Sequence, residues 1–331
     1  MGSKGIGTTG PGTRTPAHAT LRAPLALVLM ALLLALPSCS IKRMAIKSVA
    51  NSLTSGPDVY GTDEDPELIR GALPFGLKTL ESLLATLPKH RGLLLASCRG
   101  FTQYSYAYVQ SDADLIEAAD YARATALRER ALKLYLRAQG YGMRGLELNN
   151  PGIGEQLKVK PDSAAARIGR KDLDLLYWTA AAWGSAISIG KDHPELMADL
   201  SAVKALMDRG LALDEGYDEG SIHEALIVLE ALPPAMGGSV ERARRHFDRA
   251  VALSHGRRAG PYVTLATSVS VQTQDRGEFE RLMHRALECD PNRDPSQRLA
   301  TILLQQKART MLEHADDYFI APDTTQTGEG K

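Results

Sequence analysis

The chain is poor in aromatic side chains. They make up 5% of its 331 residues, with only two Trp and five Phe. That scarcity, beside plentiful Ala and Leu, argues against a β-sandwich and suits packed helices. Cysteine is scarcer still. Cys39, Cys98 and Cys289 are too few and too far apart for a disulfide framework or a zinc cage. Neither sign of charge prevails, since Lys+Arg and Asp+Glu stand at 39 each, so no global positive field exists to hold nucleic acid. Apolar residues nonetheless reach 44%, enough for a sizeable core.

The only long apolar run is 14 residues, Ala23 to Leu36, too short to span a bilayer comfortably. It follows a segment carrying Lys4, Arg14 and Arg22 without an acid, the layout of a secretion signal. The run ends in Leu36-Pro37-Ser38-Cys39, which resembles a bacterial lipobox. We therefore expect a signal peptide over 1–38, a lipidated Cys39 as the new N-terminus, and an anchor and linker over 39–65. Ser40 stands where an Asp would direct inner-membrane retention, so the expected place is the outer membrane, facing the periplasm. In that oxidising compartment Cys98 and Cys289 could pair, but each lies in a helical pattern and buried free thiols are expected. Gly5-x-Gly7-x-x-Gly10 matches a dinucleotide fingerprint by letter alone, because no strand precedes it and no helix follows.

Beyond the linker the pattern is helical. Asp65 before Pro66 reads as an N-cap followed by proline in the first turn. Leu68, Ala72, Phe75, Thr79 and Leu83 keep helical spacing up to Pro88. Further helices are expected at about 90–110, 112–140, 162–168, 171–189, 194–212, 218–232, 239–255, 260–273, 275–289 and 296–318. Gly140, Gly142 and Gly145 read as interrupting the long one. No stretch alternates with period two, and the tail 321–331 reads as disordered. Within the 66–320 domain, Ala243-x₃-Phe247-x₂-Ala250 matches the second helix of a tetratricopeptide unit. Phe279-x₃-Met283-x₂-Ala286 with Pro291, and Val203-x₃-Met207-x₂-Gly210, are imperfect copies. The expected fold is all-α, a degenerate tetratricopeptide-like helix-pair solenoid.

Chemistry is sparse. His223-Glu224 begins like a zincin motif, but Ile227 stands where the second His belongs. No Gly-x-Ser-x-Gly elbow or Walker loop occurs, so neither an enzyme nor a bound cofactor is expected. The rare aromatics cluster instead. Phe101, Tyr104 and Tyr108 share one helix face, with Tyr106 on another, while Tyr177, Trp178 and Trp183 crowd a second helix. Core packing explains them blandly. The sharper reading is an apolar-walled ligand site with polar tips, to which His223 and Tyr262 could contribute.

Several longer strings resemble one family. They are Ala72-Leu-Pro-Phe-Gly-Leu-Lys78, Arg91-Gly-Leu-Leu-Leu-Ala-Ser-Cys98, Gly100-Phe-Thr-Gln-Tyr-Ser-Tyr-Ala-Tyr108, Leu176-Tyr-Trp-Thr-Ala-Ala-Ala-Trp-Gly184, Ser221-Ile-His-Glu224 and Glu278-Phe-Glu-Arg-Leu282. Together they look like the T component of tripartite ATP-independent periplasmic (TRAP) transporters, over about Ile41 to Ile320. The resemblance implies a periplasm-facing lipoprotein with a pore or cavity through each subunit. It also implies a homotrimer, docking of a periplasmic solute-binding protein, and an apolar or amphipathic ligand. The alternative is a structural scaffold whose helical groove holds peptides or assembly factors.

Overall fold

The computed structural model describes residues 1–5, 7, 10 and 41–320. The expected signal peptide, the lipobox at Cys39 and the tail from 321 lie wholly or largely outside the described residues. A helix α1 covers 41–55. Contacts divide the chain into one unit that ends at Val49 and a second that begins at Ala50. The second unit carries everything that follows.

Its helices start and stop where local chemistry dictates. Asp65 accepts from the amides of Glu67 and Leu68, each at 3.0 Å, and opens α2 (Pro66–Thr86). The His90 ring accepts from Leu93 N to cap α3 (Arg91–Tyr104). That helix does not stop at 110. It widens into a π-helical stretch, Ser105–Gln110, and continues as α4 (Ser111–Ile116). The break comes at 117–120, where Asp120 caps α5 (Tyr121–Glu147). The three glycines expected to interrupt α5 lie inside it. Gly142 lets α5 press against α8, because a Cβ there would strike Thr179 Oγ1 and Cys98 Sγ. Gly145 makes room for Leu175 in the same way.

Two short helices, α6 (Ile153–Val159) and α7 (Pro161–Ala165), lead to α8 (Leu173–Ile189). Then come α9 (Pro194–Ala198), α10 (Leu200–Leu213), α11 (Ser221–Glu230), α12 (Val240–Leu253) and α13 (Gly260–Leu265). A second π-helical stretch, Ala266–Ser270, prolongs α13. The last helices are α14 (Arg276–Leu287) and α15 (Arg298–Glu313). Among the described residues there is no strand, so the fold is all-α.

Helix packs on helix in sequence order. α5 contacts both α3 and α8, α10 follows on α8, α12 lies on α11, and α14 joins α13 to α15. One core centres on Leu175, Leu176, Trp183 and Leu206, a second on Val263, Phe279 and Met283. Side-chain bonds between neighbouring layers recur at similar separations. Tyr217 to Asp174 spans 43 residues, Arg249 to Glu215 spans 34, Arg258 to Asp218 spans 40 and Arg276 to Asp316 spans 40. Finally the chain closes on itself. Leu299 N donates to Gly61 O at 3.0 Å, Arg298 donates to Thr62 O, and α15 packs on α2.

Candidate functional site on the inner wall

The predicted aromatics divide between core and open space. Phe101 is buried and stacks on Tyr141 with ring centroids 5.9 Å apart. Tyr108 is buried and its hydroxyl donates to Pro66 O at 3.0 Å. Trp183 is 2% exposed within the first core. These three hold helices together. Tyr104 is half-buried and accepts a bond from Arg130. Tyr177 and Trp178, also half-buried, meet edge to face at 5.1 Å, and Tyr217 lies 5.1 Å from Tyr177. The Arg99 guanidinium lies 5.7 Å from the Trp178 ring centre.

A ring left outside the predicted set proves informative. Tyr106, in the first π-helical stretch, is 42% exposed. Yet burial raises its hydroxyl pKa, and the charges of Lys307 (α15), Glu224 (α11) and Asp114 (α4) act on it. Its ring is thus exposed while charges from α4, α11 and α15 reach its hydroxyl. Tyr177 behaves alike. Burial raises its hydroxyl pKa, and the charges of Glu224 and Asp218 push the same way. Tyr106, Tyr177, Glu224 and Lys307 thus share an inner wall built by α3–α4, α8, α11 and α15.

Charged groups along this wall are mostly paired. Lys307 Nζ lies 3.4 Å from Asp114 and 5.7 Å from the Tyr106 ring centre. Burial opposes its charge, but Tyr106 and Asp114 outweigh it and keep its pKa above the ordinary value. Arg258 grips Asp218 through two nitrogens, at 2.7 and 3.1 Å, and also reaches Ser221 at 2.9 Å. Burial would raise the Asp218 carboxyl, yet the guanidinium wins and lowers it. Asp218 and Glu219 hold left-handed backbone, with φ of 43° and 52°, just before α11. Ion pairs from Arg258 and Arg257 brace that strained turn. Glu224 is the exception, raised by burial to about 7.

His223 and Tyr262 point elsewhere. His223 is buried, with its Nδ1 2.8 Å from His246 Nδ1 and its Nε2 3.4 Å from Glu215. Burial lowers the pKa of both imidazoles and so favours their neutral forms. Among the described residues, no group of three or more His, Cys, Asp or Glu could hold a metal ion. Tyr262 floors a cleft of about 740 Å³ between α12, α13 and α14. Phe247, the large residue of the tetratricopeptide-like match, is half-buried there, 5.7 Å from Tyr262. Arg244, Arg281, Glu278 and Glu280 rim the cleft. Both Cys98 and Cys289 are buried free thiols, and burial pushes Cys98 up to about 12.

No described helix is long and apolar enough to cross a membrane. An uncharacterized protein of Treponema pallidum (strain Nichols) is 28% identical to this chain over 301 residues, which is 85% of this chain and 93% of the relative. The sequence model of the TRAP transporter T-component family (TAtT) matches residues 62–319. That span includes every helix from α2 to α15, so the chain belongs to the TRAP transporter T-component family.

Proposed function

We propose that this protein is the accessory component of a TRAP-type uptake system and receives an apolar or amphipathic small molecule on its inner wall. In this reading it is anchored by a lipidated Cys39 to the periplasmic face of the outer membrane, assembles as a homotrimer, and passes its ligand to a docked periplasmic solute-binding protein. Family membership supports the system. The observation that carries the ligand is the wall itself, where Tyr106, Tyr177 and Trp178 offer open ring surface beside desolvated hydroxyls. Tyr104 borders it, while Phe101, Tyr108 and Trp183 support it from the core. The recurring 34- to 43-residue separations between bonded layers support degenerate tetratricopeptide-like pairs as the scaffold.

The test is binding of N-phenyl-1-naphthylamine, a neutral amphipathic fluorophore, to the full chain. Tyr177→Ala or Trp178→Ala is expected to weaken binding by about thirtyfold, roughly 2 kcal/mol, while far-ultraviolet circular dichroism stays unchanged. Variants that bind like the parent overturn the wall as the ligand site. One observation favours the scaffold alternative. The cleft at Phe247 and Tyr262 is open and rimmed by both charge signs, as a peptide groove would be. If the full chain binds an extended peptide of mixed charge, Phe247→Ala abolishes that binding and the wall variants leave fluorophore binding unchanged, the groove is the working surface.

A further inference from the structure

Glu224 has no cation of its own. Among the described residues no ion pair reaches it, and its sole side-chain hydrogen bond is a long one, 3.4 Å from Thr264 Oγ1 on α13. Arg258 is the cation whose charge acts on it, but the bonds of that guanidinium go elsewhere, as do those of the other cations nearby on α10 and α15. Arg258, from the turn between α12 and α13, is held by Asp218 at 2.7 Å and lies 3.5 Å from Glu219. Lys307 on α15 is paired with Asp114. Lys204 on α10 goes to Glu230 at 3.3 Å, and His223, next along α11, turns to His246 and Glu215. The hydroxyls of Tyr106 and Tyr177 complete the surroundings. Gly260 packs so closely that a Cβ there would collide with both carboxylate oxygens. Glu224 is therefore left without an ion-pair partner among the described residues, and it is partly open.

We propose that Glu224 is the head-group site for a cationic amphipath, an ammonium group seated on the carboxylate against the Tyr106 and Tyr177 rings, with the apolar part running along α8 past Trp178. This rests on the ligand-binding reading above and adds the class of ligand. A desolvated carboxylate without a partner gains most from an arriving cation. Aromatic faces beside it add attraction for the same charge and none for an anion. The bound form requires ionised Glu224, and this carboxyl titrates at about 7. Ammonium binding then releases a proton and strengthens about tenfold from pH 6 to pH 8, as the ionised fraction grows.

Isothermal titration of the full chain with decyltrimethylammonium, decanol and decanoate, below their micellar concentrations at pH 6 and pH 8, tests this. The quaternary ammonium does not titrate, so its pH dependence reports the protein. It is expected to bind tightest, and about tenfold more tightly at pH 8. Glu224→Gln is expected to remove both the preference and the pH dependence. Decylphosphocholine separates two sources of the same head. Binding equal to the ammonium points to a lipid headgroup, and much weaker binding to a free amine. If decanol or decanoate binds tightest, or the ammonium binds equally at both pH values, the proposal falls and the ligand-binding reading stands. If no probe binds at either pH, both fall. The selectivity and pH dependence of the parent protein decide the matter even should Glu224→Gln fail to fold.

Discussion

The two halves of the second unit are held together by different means. From α2 to α8 the helices approach closely over small residues. Gly142 and Gly145 admit α8, and aromatic rings such as Phe101, Tyr135 and Tyr108 fill what remains. From α11 to α15 the layers are strapped by arginine–carboxylate pairs. Arg258 joins Asp218, Arg244 joins Glu278, and Arg276 joins Asp316. The buried Gln305 amide of α15 also ties off the end of α14 by donating to Leu287 O and Cys289 O at 3.0 and 2.7 Å. Arginine pairs cross the first half too, Arg70 to Asp112 and Arg137 to Glu81, so what sets it apart is the close glycine contact of α5 with α8. Exposed ion pairs add little stability and buried ones are costly to break, so the second half should depend on its few buried elements.

That contrast can be broken first at its packing. Phe279 is fully buried, and Phe279→Ala is expected to cost about 3–5 kcal/mol in chemical denaturation. Phe247→Ala, on the wall of the cleft, should cost only about 1–2 kcal/mol, because water already reaches that ring. Equal losses would remove the distinction between the core ring and the cleft ring. Next are the straps. Arg258→Ala strands Asp218 in a left-handed turn, leaving Glu219 to Arg257, and should cost about 2–3 kcal/mol. Arg249→Ala, at an exposed pair with Glu215, should leave the denaturation midpoint where it is.

A smaller effect separates the carboxyl from the histidines by pH. Glu224 titrates at about 7 when folded against an ordinary 4.5, so above 4.5 the unfolded chain ionises while the folded one resists. Stability is therefore lost as pH rises from about 4.5 through 7, and Glu224→Gln should recover up to about 3 kcal/mol at pH 8 and nothing at pH 4. The His223–His246 pair has the opposite sign. Both pKa values are depressed from 6.5, so this contribution is present above 6.5 and is lost on acidification. Denaturation midpoints of Glu224→Gln and His246→Gln across pH 4–8 should diverge from the parent at opposite ends of the range.

Helix boundaries set by local chemistry were legible, as Asp65-Pro66 and Pro88 show. Those set by distant partners were not. Nothing near Gly142 says that Thr179 and Cys98 will press against it, so a packing glycine reads as a break. The true break before Asp120 carries no proline or glycine. Aromatic clustering singled out Tyr177 and Trp178, which the proposed wall keeps, and passed over Tyr106. Helical spacing grouped Phe101, Tyr104 and Tyr108, whereas Tyr106, in the π-helical stretch, is the exposed ring. Glu224 sat in plain view beside His223 and read only as a failed metal motif. Its interest lies in a missing cation, which depends on neighbours drawn from four other parts of the chain.

Closure of α15 onto the 61–62 segment bears on how the chain folds. In an open stack each unit needs only its neighbour, so structure can spread from any point. Here Arg298 and Thr62 meet across 236 residues. Such a loop carries an entropic cost that only its final contacts offset, and topologies of that kind fold slowly. Synthesis runs from the amino end, so α2 emerges long before the helix that covers it. Until then the Ile69 and Tyr108 surfaces lack their Leu299 cover. A chain lacking α15 should expose that seam as it exposes the end of α14, and should be captured by holdase chaperones rather than settle into a shorter stack.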